Sequence, residues 1–220
     1  MIRSLLLVTL VLALSTVASA SPKVAPPAAL VRGHTVSHAP TGLTIRVPRT
    51  ATFVGKERFD LKGVADAEIE LFVEADKNKR VTKLYWIQFE HPWPSEKWRY
   101  DYTGDRREHH WGTTVWINSG PGSTTRTADP RSDTAHMRAM LQRAGYTAPP
   151  EMMNVRIIQL LDDPKGTGHG GQEVMFIYAE DLAKTGKTLA HWEKAPDAEW
   201  SPVGKALVAR ATKAFEVIRR

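Results

Sequence analysis

The sequence contains no cysteine among its 220 residues. This absence excludes disulfide cross-links, thiol catalysis and metal sites with cysteine ligands, so burial of apolar side chains must hold the fold together. The sequence also lacks an Asn-x-Ser/Thr acceptor for N-glycosylation. An exported chain without disulfides fits a bacterial periplasmic or secreted protein better than a eukaryotic extracellular module.

Long apolar runs are also scarce, and the longest occupies residues 5–14, where only Thr9 interrupts it. Arg3 precedes this run, and Ala18 and Ala20 give the small-x-small pattern that signal peptidase recognises. A retained anchor needs about 20 apolar residues. We therefore predict a signal peptide over residues 1–20, export to the periplasm or the medium, and no membrane span after cleavage.

Charge of one sign is not concentrated anywhere in the chain. Without residues 1–20, which contain one basic residue, the net charge is +5, one unit below the +6 of the full sequence. Lysine and arginine alternate with acidic residues along most of the chain, whereas nucleic-acid-binding proteins usually cluster them on one face. We expect no nucleic-acid partner, and no motif indicates a cofactor.

Composition divides the remaining chain into two parts. Residues 21–40 are rich in proline, alanine and small polar residues and show no helical or strand periodicity, which predicts a flexible lead. Residues 41–220 contain no second low-complexity break and no repeat, and they predict a single α+β domain.

Alternation of apolar and polar residues predicts most of the strands. In residues 67–75 the apolar side chains share one face, and Glu68, Glu70 and Glu74 lie on the other, which predicts an antiparallel strand with one face in water. Residues 81–90 carry apolar side chains on both faces, so we expect both to be covered. Further strands are predicted at 43–47, 51–59, 113–118, 152–161 and 173–179.

Two amphipathic helices are predicted. The first follows Asp129 as N-cap and Pro130 as its first residue, and it ends before Gly145. The second begins at residues 201–202 and continues to the C-terminus. The elements together predict an α+β fold, a curved antiparallel β-meander of about seven or eight strands packed with two helices. The alternative is a closed, lipocalin-like β-barrel with appended helices.

Aromatic residues are concentrated between residues 85 and 116, where five of the seven tryptophans lie. Trp93 and Trp98 flank Pro94 in a loop-like segment, which favours a binding role over a place in the core. The leading hypothesis is therefore binding, without catalysis, of an apolar or aromatic-stacking small molecule or a polysaccharide in an aromatic-lined cavity. The predicted contact residues are Trp86, Trp93, Trp98, Arg99, Tyr100, Tyr102 and Trp116.

Histidines and carboxylates in the 90–110 region support an alternative, a hydrolytic or metal-assisted enzyme. If strand 81–90 lies beside strand 98–102, the loops that carry the histidines meet. The candidate catalytic residues are Glu90, His91, Asp101 and His109, and the candidate metal ligands are His91, His109 and His110. Since no metal-binding motif is present, we expect no bound metal. A third possibility is an envelope interaction protein, and the oligomeric state is left open.

Overall fold

The computed structural model describes residues 24–219, so the predicted signal peptide lies outside the described part of the chain. With 46% strand and 20% helix, the α+β class is confirmed. Within residues 24–219 no helix is both long and apolar enough to cross a membrane. The strands are β1 (Ala29–Arg32), β2 (Thr35–His38), β3 (Leu43–Arg46), β4 (Thr52–Leu61), β5 (Ala65–Ala75), β6 (Val81–Pro92), β7 (Tyr100–Asp101), β8 (Arg106–His110), β9 (Thr113–Ser123), β10 (Glu151–Leu160), β11 (His169–Gly170), β12 (Glu173–Asp181) and β13 (Glu216–Arg219). The helices are α1 (Asp133–Arg143), α2 (Leu189–Trp192) and α3 (Asp197–Ala214).

The main sheet has seven antiparallel strands in the order β4-β5-β6-β12-β10-β9-β8. A crossover places β12 beside β6, so the sheet is not a simple meander. Strands β4 and β8 form its two edges and do not pair with each other in the described residues, so the closed-barrel alternative is wrong. A second sheet has the order β1-β2-β3-β13, and β7 pairs with β11.

The two faces of the main sheet are covered by different elements. Along β6, Tyr85 and Phe89 belong to the core shared with the second sheet and α3. Leu84 and Trp86 belong to the core beneath α1. The prediction that both faces of this strand are covered is confirmed.

Both long helices differ from their predicted limits. Helix α1 begins after Ser132, whose hydroxyl oxygen accepts a hydrogen bond from the amide of Ala135, so Asp129 is not the cap. Helix α3 begins earlier than predicted, at Asp197, and it ends at Ala214. The chain does not continue as a helix because its next residues pair with β3 as strand β13. The four-residue helix α2 was not predicted.

Part of the predicted flexible lead forms a hairpin, β1 and β2, that joins the second sheet. Ala29 and Val36 are buried there, and this burial stabilises a segment whose own sequence shows no periodicity. Charged side chains of β4 and β5 bind its backbone. The carboxylate of Glu68 accepts hydrogen bonds from the amides of Ala28 at 2.7 Å and Ala29 at 2.6 Å, and Lys56 donates to the Ala29 carbonyl at 2.6 Å.

The glutamate face of β5 is therefore not in water, which corrects the prediction for this strand. Glu68 is 3% exposed and Glu70 is fully buried. Neither carboxyl oxygen of Glu70 has a hydrogen-bond partner in the described residues. Burial, together with the neighbouring Glu68, raises the pKa of Glu70 well above its ordinary value, so the group is held as a neutral acid.

We expect Glu68→Gln to lower the free energy of unfolding by about 1–3 kcal/mol, because an amide nitrogen replaces one of the two carboxylate oxygens that accept the backbone amides of Ala28 and Ala29. The matched control is Glu216→Gln, which removes an exposed ion pair with Arg46 and should cost between about 0 and 1 kcal/mol. Denaturant unfolding of both variants measures the difference. Equal effects would contradict the proposed anchoring of β1.

Candidate functional site

The register of the main sheet aligns four side chains in one row across its α1 face. Trp86 on β6 lies opposite Ile177 on β12, and Ile177 lies opposite Arg156 on β10. Arg156 in turn lies opposite Asn118 on β9. Because side chains alternate between the faces of a strand, paired residues share a face. The row therefore presents an aromatic, an aliphatic, a cationic and an amide side chain side by side.

Helix α1 packs over β4 and β5, and a cleft of about 410 Å³ lies between it and β9. The absence of side chains at Gly120 and Gly122 on β9 leaves space on this face, since a Cβ on Gly120 would meet no atom within 4 Å. Apolar walls with a few converging polar groups are typical of small-molecule sites. The apolar lining is Leu84, Met137, Met152, Ile177 and Ala179, and the polar lining includes Asn118, Thr124, Asp133, Thr134, Asn154 and Arg156.

Arg156 is half-buried in this cleft. Its guanidinium donates no side-chain hydrogen bond and forms no ion pair with any acceptor in residues 24–219. The other charged lining residue, Asp133, accepts hydrogen bonds from the amide and the hydroxyl of Thr134. A half-buried guanidinium without a fixed acceptor has unused capacity to bind an anionic group.

A pair of buried carboxyl groups lies on the same face, where Glu90 on β6 is directly opposite Glu173 on β12. Tyr100 donates to Glu90 at 2.6 Å, and Tyr102 donates to Glu173 at 2.6 Å. Burial raises the pKa of both groups, and burial with the charge of Glu90 raises the pKa of Glu173 to about 8. At neutral pH the pair therefore retains a proton.

Hydrogen bonds connect the carboxyl pair to the cleft. The indole of Trp86 donates to the side-chain oxygen of Gln88 at 3.0 Å, and the Gln88 amide donates to Glu90 at 2.7 Å. The positive charge of Arg156 acts on both Glu90 and Glu173 and partly opposes the rise of their pKa.

The tyrosines are held over this pair by the two-stranded sheet of β7 and β11. Tyr100 pairs with Gly170 of β11, so the condition on which the histidine loops would meet, pairing of this segment with β6, is not fulfilled. Glycine is required at 170 because a Cβ there would approach the Leu160 side chain to 2.8 Å and the Asp162 carboxylate to 2.7 Å. Trp116 and Leu160 complete the cover.

The predicted contact residues separate into two groups. Trp86 lines the cleft, and Tyr100, Tyr102 and Trp116 pack together above the carboxyl pair. The remaining three lie elsewhere and do not line the cleft. Trp93 donates to Asp60 at 2.7 Å, Trp98 is 38% exposed with its ring edge-on to Tyr100, and Arg99 forms an exposed ion pair with Asp162.

The predicted histidine cluster does not form. His91 lies near the end of β6, whereas His109 and His110 lie on edge strand β8, and the strands β12, β10 and β9 separate them. His110 contacts Glu108 at 2.7 Å instead, and the carboxylate of Asp101 accepts from Thr103 in an exposed turn. In the described part of the chain, no group of three or more histidine, aspartate or glutamate side chains is arranged to hold a metal ion.

Sequence reasoning missed Arg156, Asn154, Gln88 and Glu173 as site residues. A signal exists for Gln88, Asn154 and Arg156, because each is a polar residue inside an otherwise apolar strand segment, whereas Glu173 stands at the start of its strand. Polar residues at such positions are buried and hydrogen-bonded or face a cleft.

Comparisons with protein families, with curated proteins and with solved structures each found no match to this chain.

The carboxyl pair predicts a specific pH dependence of stability. The folded protein retains a proton on Glu173 to about pH 8, whereas the unfolded chain loses it near the ordinary value of 4.5. Unfolding between these limits releases a proton, so the free energy of unfolding falls as the pH rises through this window. We expect Glu173→Gln, which needs no proton, to reduce this slope by up to about 1.4 kcal/mol per pH unit.

Denaturant unfolding at a series of pH values across this window measures the slope. Glu216→Gln, a change at an exposed carboxylate, should leave the slope of the parent protein unaltered. A Glu173→Gln variant with the parent slope would show that the pair is ionised in the folded protein.

Proposed function

We propose that the chain is an exported protein that binds a small organic molecule with an apolar body and an anionic group in the cleft between α1 and β9. The observation that carries this proposal is the half-buried guanidinium of Arg156, which has no acceptor in the described residues and lies beside an apolar wall. Export rests on the signal-peptide pattern of residues 1–20.

The shape and chemistry of the cleft support a ligand of this class. Its volume of about 410 Å³ falls in the range of small-molecule sites, which is about 300–1,000 Å³. Met137 and Met152 are flexible apolar side chains that adapt to a ligand surface. Asn118 and Asn154 add hydrogen-bonding groups next to the guanidinium and would fix the orientation of a bound carboxylate.

The arrangement favours binding over catalysis at this cleft. The acid groups with raised pKa are not free to react, because Tyr100, Tyr102 and Gln88 already donate to their oxygens. Trp86 is only 5% exposed and offers little ring surface, which favours a compact ligand over a stacked polysaccharide.

Binding of 2-naphthoate and of its uncharged analogue 2-naphthamide tests the proposal. We expect the protein to bind 2-naphthoate more tightly, because only the carboxylate forms a charge-assisted hydrogen bond with Arg156. Arg156→Gln should weaken 2-naphthoate binding by about 10- to 100-fold, since such bonds contribute about 1.5–3 kcal/mol. Isothermal titration calorimetry measures both ligands.

Two control variants make the result specific. Arg32→Gln changes an exposed arginine away from the cleft and should leave both affinities unaltered. Trp98→Ala removes a predicted contact residue that does not line the cleft, and it should also bind normally. If Trp98→Ala abolished binding while Arg156→Gln did not, the aromatic loop would be the site and the cleft would not. Failure of the parent protein to bind either compound would contradict the ligand class.

A further inference from the structure

A second cleft, of about 260 Å³, opens on the opposite face of the main sheet, where β5 and β6 meet the turn after β2. Among the residues that line it are His38, Arg58, Asp66, Phe89 and His91. We call it the His38 cleft. Alternate residues of β6 point to opposite faces of the sheet, and Phe89 and His91 point away from α1. This cleft is therefore separate from the proposed ligand site.

The hydroxyl of Thr41 contacts both the backbone and the imidazole of His38. The turn Ala39–Thr41 folds back so that the Thr41 hydroxyl donates to the His38 carbonyl at 3.3 Å. The same oxygen lies 3.0 Å from Nδ1 and can accept its proton. In that tautomer the lone pair of the imidazole lies on Nε2, which has no hydrogen-bond partner in residues 24–219.

Packing holds this imidazole in one orientation. Its ring stacks on Phe89 with a centroid distance of 3.7 Å and an interplanar angle of 12°. Burial lowers the pKa of His38, although the nearby Glu68 partly opposes this effect, so the group is neutral at neutral pH. A neutral, oriented imidazole with a free Nε2 has the properties of a general base.

The other charged groups of the cleft are already engaged. Arg58 donates to both oxygens of Asp66, at 2.8 and 2.6 Å, and Nε2 of His91 lies 3.8 Å from Asp66. Glu68 accepts two amides of the β1 segment. Glu90 and Glu173 border the cleft, but the tyrosines hold their carboxyl groups on the α1 face.

We propose that the His38 cleft is a hydrolytic site in which Nε2 of His38 activates a water molecule against a small, uncharged carboxylic ester. Nε2 takes a proton from water while the water oxygen forms a bond to the carbonyl carbon. The tetrahedral intermediate then breaks its bond to the alkoxy oxygen, and the imidazolium returns its proton to that oxygen. The products are one carboxylic acid and one alcohol, and no other reactant is needed.

Volume and charge define the substrate class. The cleft measures about 260 Å³, which equals the volume of roughly nine waters at about 30 Å³ each. A substrate of about that many heavy atoms fits. Asp66 and Glu68 outnumber Arg58 among the fixed charges, so an anionic ester is disfavoured relative to a neutral one.

Hydrolysis of phenyl acetate, an uncharged ester of ten heavy atoms, by the full protein tests the proposal. We expect His38→Gln to lower the rate by about 100-fold or more, the usual contribution of a general base. His38→Ala leaves space for an imidazole, so added imidazole should restore part of its rate. As the pH is lowered, the activity of the parent protein should fall because His38 becomes protonated. The midpoint of this fall should lie below pH 6.5, the ordinary pKa of histidine. The charged groups around it are Arg58 on β4, Asp66 and Glu68 on β5, and His91 on β6.

The matched control is His169→Gln. His169 lies 3.8 Å from Asp101, as His91 does from Asp66, but it is 56% exposed and outside the cleft. Its replacement should leave the rate unaltered. Thermal unfolding verifies that the His38 variants are folded, and imidazole rescue of His38→Ala provides a second readout if one of them is not. A parent rate no higher than that of His38→Gln, or equal losses in His38→Gln and His169→Gln, would overturn the assignment.

Discussion

The pairing of β6 with β12 at the centre of the main sheet is the constraint on which the other features depend. Neither strand has a face in water, since one face packs under α1 and the other under α3 and the second sheet. Their register sets Trp86 beside Ile177 and Glu90 beside Glu173. A shift of the pairing register by one residue would move every side chain of a strand to the opposite face of the sheet. Both candidate clefts therefore depend on this one alignment.

Buried carboxyl groups are the least expected feature of this interior. Burying an ionised carboxylate costs far more free energy than ordinary hydrogen bonds recover. Two different arrangements lower the free energy of burying these carboxyl groups. Glu68 retains acceptor contacts with two backbone amides, whereas Glu70 and Glu173 have raised pKa values and hold their protons. The interior thus favours neutral acids, and its stability is coupled to pH.

The strands were predictable because their signal is local. Alternation of side-chain polarity is a property of consecutive residues, and it located β5, β6, β10 and β12 within a few residues. The hairpin of β1 and β2 was not predictable in this way, because charged groups of β4 and β5 hold it from a distance in sequence. The prediction that the glutamate face of β5 lies in water was wrong for the same reason. Only the position of the second sheet decides whether that face is covered.

The candidate sites show the same division between local and non-local information. A concentration of aromatic residues is visible in the sequence, but the structure uses Tyr100, Tyr102 and Trp116 to cover a carboxyl pair and places Trp98 at the surface. Arg156 becomes notable only when the register places it beside Asn118 and in one row with Trp86 across four neighbouring strands. His38 becomes notable only when Phe89 and Thr41 orient its ring.

Both clefts follow from one property of a strand with two covered faces. Successive residues of β6 point to opposite sides, so Leu84 and Trp86 line the cleft under α1, while Phe89 and His91 line the His38 cleft. In a strand of this kind, alternate residues must suit two different surroundings, one on each face of the sheet. The proposed anion-binding guanidinium of Arg156 and the proposed catalytic imidazole of His38 would therefore lie on opposite faces of one sheet and remain chemically separate. The sheet itself is the barrier between them.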